Sequence, residues 1–169
     1  IDRDDRLPQE IFAQLGSLGY FGTRYPEEIG GMGADCVTFT ILSEELARVS
    51  MGLAAAVTMQ CLMGTDFLFR FGNKDQKERC LLPAIKGNKI ATIAFTEPDC
   101  GSDLARIRTR ATKNGNSYML NGRKLWITNG DVADFVTIVA TTDPEKGLKG
   151  LGFFLVEKGT PGFSVGQKI

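Results

Sequence analysis

Apolar residues recur at helical spacing through the first half of the chain. Ile11, Leu15 and Leu18 mark one face after Pro8, and Phe39, Leu42, Leu46 and Val49 mark another after Asp35, which predicts two amphipathic helices. Between them, Tyr20 to Gly33 holds Pro26 and the four glycines Gly22, Gly30, Gly31 and Gly33, so an ordered loop is expected there. Loops of that length often line sites. A third helix is predicted from Gly52 to Phe71, bent near Gly64, and its near-continuous apolarity implies that it is covered on most sides. Asn73 followed three positions later by Gln76 has the form of a capping box, opening a fourth helix through Leu81 and Leu82 that ends by Gly87. Pro83 is expected to distort or break its last turns.

After Gly87 the pattern changes to short runs rich in β-branched and aromatic residues, separated by Asn114-Gly115, Asn121-Gly122 and Asn129-Gly130. Strands are predicted at Ile90–Phe95, Ile107–Thr112, Tyr118–Leu120, Lys124–Ile127, Phe135–Thr141, Leu151–Glu157 and Phe163–Val165, with a type I′ hairpin at Asn121-Gly122 and a solvated hairpin loop at Gly147–Gly152. Helices followed by strands predict segregated parts rather than a doubly wound sheet. The expected fold class is α+β: an N-terminal α-helical bundle over residues 1–88, then an antiparallel β-barrel or sandwich-like domain over residues 89–169. Cofactor binding should therefore not be Rossmann-like.

Composition narrows the chemistry. Twenty basic residues balance twenty acidic ones in 169, so no whole-molecule field draws nucleic acid or an anionic membrane. Histidine is absent, which removes Ser-His and Cys-His nucleophile schemes and the commonest metal ligand. Cys36, Cys61, Cys80 and Cys100 form no Cys-x-x-Cys pair, so no metal site is expected and free thiols in a reducing cytosol fit best. The longest apolar run, Met51 to Met63, is shorter than the ~20 residues of a membrane span. It is read as a buried helix, with Met51, Met59 and Met63 in the core.

Two segments carry the candidate chemistry. Ala94-Phe95-Thr96-Glu97-Pro98-Asp99-Cys100-Gly101-Ser102-Asp103 joins an apolar strand to a Pro-directed corner and a Gly-Ser-Asp turn, which can aim backbone N–H groups and a hydroxyl at an anion. Lys124-Leu125-Trp126-Ile127-Thr128-Asn129 adds an indole and a second hydroxyl. Taken singly, Trp126 reads as a core anchor, Thr128 as a strand residue and Ser102 as a turn or cap. Glu97 and Asp103 read as solvated or capping carboxylates, so neither is assigned as a catalytic base.

The pair resembles the flavin-contacting segments Thr-Glu-Pro-x-x-Gly-Ser-Asp and Trp-Ile-Thr-Asn of the acyl-CoA dehydrogenase family. The resemblance extends from Tyr25-Pro26-Glu27-Glu28-Ile29-Gly30-Gly31-Met32-Gly33 through Ser43-Glu44-Glu45-Leu46-Ala47 to Thr160-Pro161-Gly162. It implies FAD as cofactor. Ile93, Phe95 and Thr96 would meet the ring, with Gly101 and Ser102 near the pyrophosphate and the acyl-CoA thioester. Trp126 and Ile127 would pack beside the flavin, and Thr128 would donate to its N5 and O4 edge. The implied reaction takes an acyl-CoA to its trans-2-enoyl product, with an electron-transfer flavoprotein as acceptor and a homotetramer as the assembly.

In the resembling family the base is usually a glutamate in a C-terminal helical domain. The expectation is therefore that this chain is a fragment lacking that base, with weak or absent FAD retention and no turnover alone. Two rival readings remain at this level: an acyl-CoA oxidase or related flavoenzyme, and a non-catalytic α+β binding or assembly module of the same fold. The helix at Ser43–Ala47 and the Tyr25–Gly33 loop could border an acyl cavity, with plain amphipathic packing and close glycine packing as the alternatives.

Overall fold

The computed structural model describes residues 9–167. Pro8, read as preceding the first helix, lies outside them. Helices α1 (Gln9–Ser17), α2 (Cys36–Val49), α3 (Met51–Phe71) and α4 (74–85) precede strands β1 (Ala91–Ala94), β2 (Arg110–Asn114), β3 (Ser117–Asn121), β4 (Phe135–Thr141) and β5 (Leu151–Glu157).

The caps explain where the helices start. Asp35 accepts from Thr38 N at 2.8 Å to open α2, and Ser50 caps α3 through Leu53 N. At α4, Asn73 and Gln76 exchange bonds of 2.9 and 3.0 Å, the reciprocal box that their spacing predicts. Both α3 and α4 widen into π turns, at Met59–Gly64 and Lys77–Leu81. The second widening sits directly before Pro83, whose ring and missing N–H cannot serve an ordinary α turn. The helix therefore continues to Ile85 rather than breaking.

The helix α3 spans 21 residues, so the argument from a short apolar run fails: by length and composition it could cross a membrane. Half of that apolar window is buried within the protein. Phe12, Phe21, Leu53, Val57 and Cys61 form one core cluster between α1, the following loop and α3. Met51 and Met63 are exposed, contrary to the core reading, and so are Leu18 and Val49 on the faces expected to be buried. The loop between α1 and α2 folds into two short 3-10 turns, Tyr20–Gly22 and Glu27–Ile29. Gly31 packs against the backbone of Tyr25 within this loop, where a Cβ would come to 2.0 Å of Tyr25 O.

The sheet is open and mixed, not an antiparallel barrel or sandwich. β1 runs parallel to β4 (Ala91↔Phe135 to Ala94↔Ile138), while β5 runs antiparallel on the other edge of β4 (Phe135↔Glu157 to Thr141↔Leu151). β2 meets β4 at Arg110↔Thr141 and pairs antiparallel with β3. The parallel pairing follows from the long excursion between β1 and β4, which carries the chain over and back. β4 and β5 form the expected hairpin, but its loop is built of the 3-10 turns at Pro144–Gly150, and Leu151 and Gly152 already belong to β5.

Three local expectations are corrected. The tight hairpin closes at Asn114↔Ser117, with Gly115 at φ 60, rather than at Asn121-Gly122. Gly122 is instead a packing glycine, since a Cβ there would lie 2.3 Å from Thr109 Oγ1. Lys124–Ile127 and Phe163–Val165 carry no strand ladder.

Helices and sheet share one core. Tyr25, Leu68, Leu81, Ile85, Ala91 and Phe135 cluster across the junction, and Gly64 lets α3 approach β1 to where a Cβ would stand 2.8 Å from Ala91 O. Gln60, fully buried, seals the joint: Nε2 donates to Ala84 O (3.1 Å) and Lys89 O (2.8 Å), and Oε1 accepts from Ala91 N (2.7 Å). Replacing it with leucine leaves three backbone groups, two of them buried, without this partner. Gln60→Leu should lower unfolding free energy by about 2–4 kcal/mol in a urea titration, and a change within experimental error would show that the amide is not the joint.

Candidate functional site

The Thr-Glu-Pro corner leaves the end of β1 and doubles back through a two-way bond, Glu97 N to Cys100 O (2.9 Å) and Cys100 N to Glu97 O (3.2 Å). That turn sends the Glu97 side chain inward. Its carboxylate accepts from Arg108 N (2.7 Å), Thr109 N (3.0 Å), Thr109 Oγ1 (2.5 Å) and Lys124 Nζ (2.8 Å). The side chains of Glu97 and Lys124 are only 4% and 9% exposed. Lys124 also donates to Phe95 O at 2.9 Å.

Glu97 is thus neither solvated nor a helix cap, as its loop position suggested. It is the buried hub that joins the first segment to the second. Burial alone would raise its pKa, but the Lys124 ammonium, the Thr109 hydroxyl and the N–H groups of Arg108 and Thr109 outweigh that and hold it down to about 2. Burial likewise pulls the Lys124 ammonium below its usual range, with Glu97 opposing the shift.

The second segment is fastened at successive points. Leu125 N donates to Thr96 O (2.9 Å), Thr92 Oγ1 to Thr128 O (2.6 Å), and Asn129 Nδ2 to Ala56 O on α3 (3.1 Å). Between these anchors Trp126 takes φ 58, a conformation that a bulky residue adopts only when its surroundings impose it. The indole is 69% exposed, so it is not a core anchor. Ile127 packs behind it against Ala94, Ala133 and Val136.

The other expected residues divide. Thr96, Trp126, Ile127 and Thr128 come together at the end of β1. Ile93 is buried, and Phe95 packs with Cys100, Ile107 and Val139 and edge-on to Phe153. Ile93 therefore offers a ligand its backbone, while Phe95 stays partly exposed. Gly101 and Ser102 are exposed in the turn, and a Cβ on Gly101 would meet nothing within 4 Å. The N–H groups of Gly101, Ser102, Asp103, Trp126, Ile127 and Thr128 donate to no protein acceptor among the described residues. Sequence reasoning missed Lys124 and Thr109 because their pairing with Glu97 spans 27 and 12 positions.

A carboxylate whose folded pKa lies below its unfolded value stabilises the fold above the unfolded pKa and stops doing so as pH falls through the folded one. Glu97 drops from 4.5 to about 2, so its contribution should be complete above about pH 4.5 and fade between there and about pH 2. Glu97→Gln should cost about 3 kcal/mol at pH 7, since it leaves Lys124 buried without its counter-charge, and the gap from the parent should narrow across that acid window. A pH-independent gap in denaturant titrations would contradict the hub.

Two family models together match nearly the whole chain. The family model described as acyl-CoA dehydrogenase, N-terminal domain, matches residues 1–88, and the one for the middle domain of the same family matches residues 92–169. The chain is 47% identical over 169 residues to a benzylmalonyl-CoA dehydrogenase of Aromatoleum aromaticum, covering 100% of this chain and 44% of that protein. Among solved structures, butyryl-CoA dehydrogenase from Megasphaera elsdenii superposes with a TM-score of 0.93 at 36% identity, over 99% of this chain and 45% of that one. A FAD complex of PigA superposes with a TM-score of 0.92 at 32% identity, over 99% and 44%. The chain therefore spans less than half the length of these relatives. With both halves matched in order and the two segments locked together by Glu97 and Lys124, the chain belongs to the acyl-CoA dehydrogenase family.

Proposed function

We propose that these residues form the flavin-facing part of an FAD-dependent acyl-CoA dehydrogenase that converts a saturated acyl-CoA to a trans-2-enoyl-CoA. The observation that carries this reading is the convergence of Thr96 with the Trp126–Thr128 segment, fixed by the Leu125 N to Thr96 O bond. The residues suit a flavin: an exposed indole on a constrained backbone, and two runs of N–H groups with no protein acceptor among the described residues. The FAD complex of PigA, a related chain, supports the choice of cofactor.

When bound, FAD supplies a hydride acceptor for the substrate's β-hydrogen. The Thr128 hydroxyl, with its carbonyl already held by Thr92, is positioned to donate a hydrogen bond toward charge developing on the acceptor. Trp126 provides an apolar face that excludes water, and the Gly101–Asp103 turn offers its free N–H groups to an anionic group. Glu97 is unsuited to abstract a proton: with its pKa near 2 and four donors on it, it is a poor base at neutral pH. The α-proton is therefore taken by a group other than Glu97. An electron-transfer flavoprotein as acceptor and a tetrameric assembly belong to the same proposal.

The full-length gene product should purify yellow and bleach under anaerobic conditions on addition of a saturated acyl-CoA. Thr128→Val should retain flavin but lower kcat by roughly 10²-fold with little change in KM, the loss typical of one preorganised donor. A colourless protein that takes up no FAD would overturn the proposal.

A further inference from the structure

A second site lies beyond the flavin-facing segments, beside the Glu97 to Asp99 corner. The run into β2 alternates: Ile107, Thr109 and Ala111 are buried, while Arg106, Arg108 and Arg110 face solvent. Register places Asn121 opposite Arg110, and the chain then turns at Gly122 to present Arg123. Together with the corner, Arg108, Thr109, Arg110 and the Asn121–Arg123 turn line an open cleft of about 290 Å³.

The charges in this cleft do not cancel. Glu97 is spent on its own four donors, Lys124 among them. Asp99 is taken by Arg108, at 2.7 Å. Asp143, the acid that senses Arg110, is held by Lys146 at 2.9 Å. The guanidinium groups of Arg110 and Arg123 form no hydrogen bond or salt bridge with another described residue. Two planar cations with unspent donors, flanking the Asn121 amide, match the oxygens of a phosphate better than those of a single carboxylate, because each fork can engage two oxygens.

We propose that this cleft binds a phosphate monoester or diphosphate, held chiefly by Arg110 and Arg123. Neither arginine takes part in the flavin-facing site: the nucleotide source stands apart from the dehydrogenase reading, whereas the coenzyme A source rests on it. The phosphate could come from the diphosphate of a nucleotide or from the 3′-phosphate of a coenzyme A thioester, and both sources share this chemistry.

Calorimetric titration of the full-length protein with inorganic pyrophosphate at low salt tests it directly. The expected result is saturable binding that weakens as salt rises, and that falls by roughly tenfold or more in the Arg110→Gln/Arg123→Gln double variant. Lys113→Gln, a charge change on the same strand outside the cleft, should leave the affinity within about twofold. Both arginines are exposed, so the double variant should keep the parent's melting temperature. Repeating the titration with ADP, CoA and dephospho-CoA identifies the source. A loss in the double variant seen for CoA but not for dephospho-CoA assigns the 3′-phosphate, and an equal loss with ADP assigns the diphosphate. Absence of saturable pyrophosphate binding, or binding that the Arg110→Gln/Arg123→Gln variant leaves unchanged, would overturn the proposal, as would equal weakening by Lys113→Gln.

Discussion

The buried ion pair between Glu97 and Lys124 is the constraint on which the candidate site depends. An ionised carboxylate and an ammonium are costly to withdraw from water, and they persist only where hydrogen bonds satisfy the remaining lone pairs and protons. Here that condition is met on both sides. Thr109 and the Arg108 backbone complete the carboxylate, and Phe95 O takes a bond from the ammonium. Because its partners come from β1's end, the run into β2 and the segment after β3, the pair fixes three stretches of chain relative to one another.

That arrangement explains the strained Trp126. A tryptophan at positive φ would relax if either neighbour were free, but Leu125 is tied to Thr96 on one side and Thr128 to Thr92 on the other. Asn129 extends the fastening to α3, and Gln60 ties α3 to β1. The strain is thus distributed into a scaffold whose core crosses from helices to sheet through Ala91 and Phe135. Residues held out of their preferred conformation by such surroundings cluster at functional sites, and the exposed indole with the unspent N–H groups beside it fits that pattern.

Much of this was legible in the sequence where the signal is local. The Asn73–Gln76 box, the Asp35 cap and the glycine-rich loop all act over a few residues, and the two motif segments stood out by composition. What the sequence concealed depends on distant partners. Asn121-Gly122 has ideal hairpin chemistry, yet Gly122 is required by its contact with Thr109, thirteen positions away. The parallel pairing of β1 with β4 has no local signature, which is why an antiparallel barrel was the natural expectation. Glu97 looked like an ordinary loop carboxylate because burial of a charge is visible only once its counter-charge is placed.

The most direct test of the central claim is a double-mutant cycle on Glu97 and Lys124, read out as FAD affinity of the full-length protein. If the pair organises the site, Glu97→Gln and Lys124→Met should each weaken FAD binding, and the double variant should bind no worse than the poorer single one, a coupling of about 1.5–3 kcal/mol. Fully additive losses, or an FAD affinity unchanged in Lys124→Met, would contradict the account.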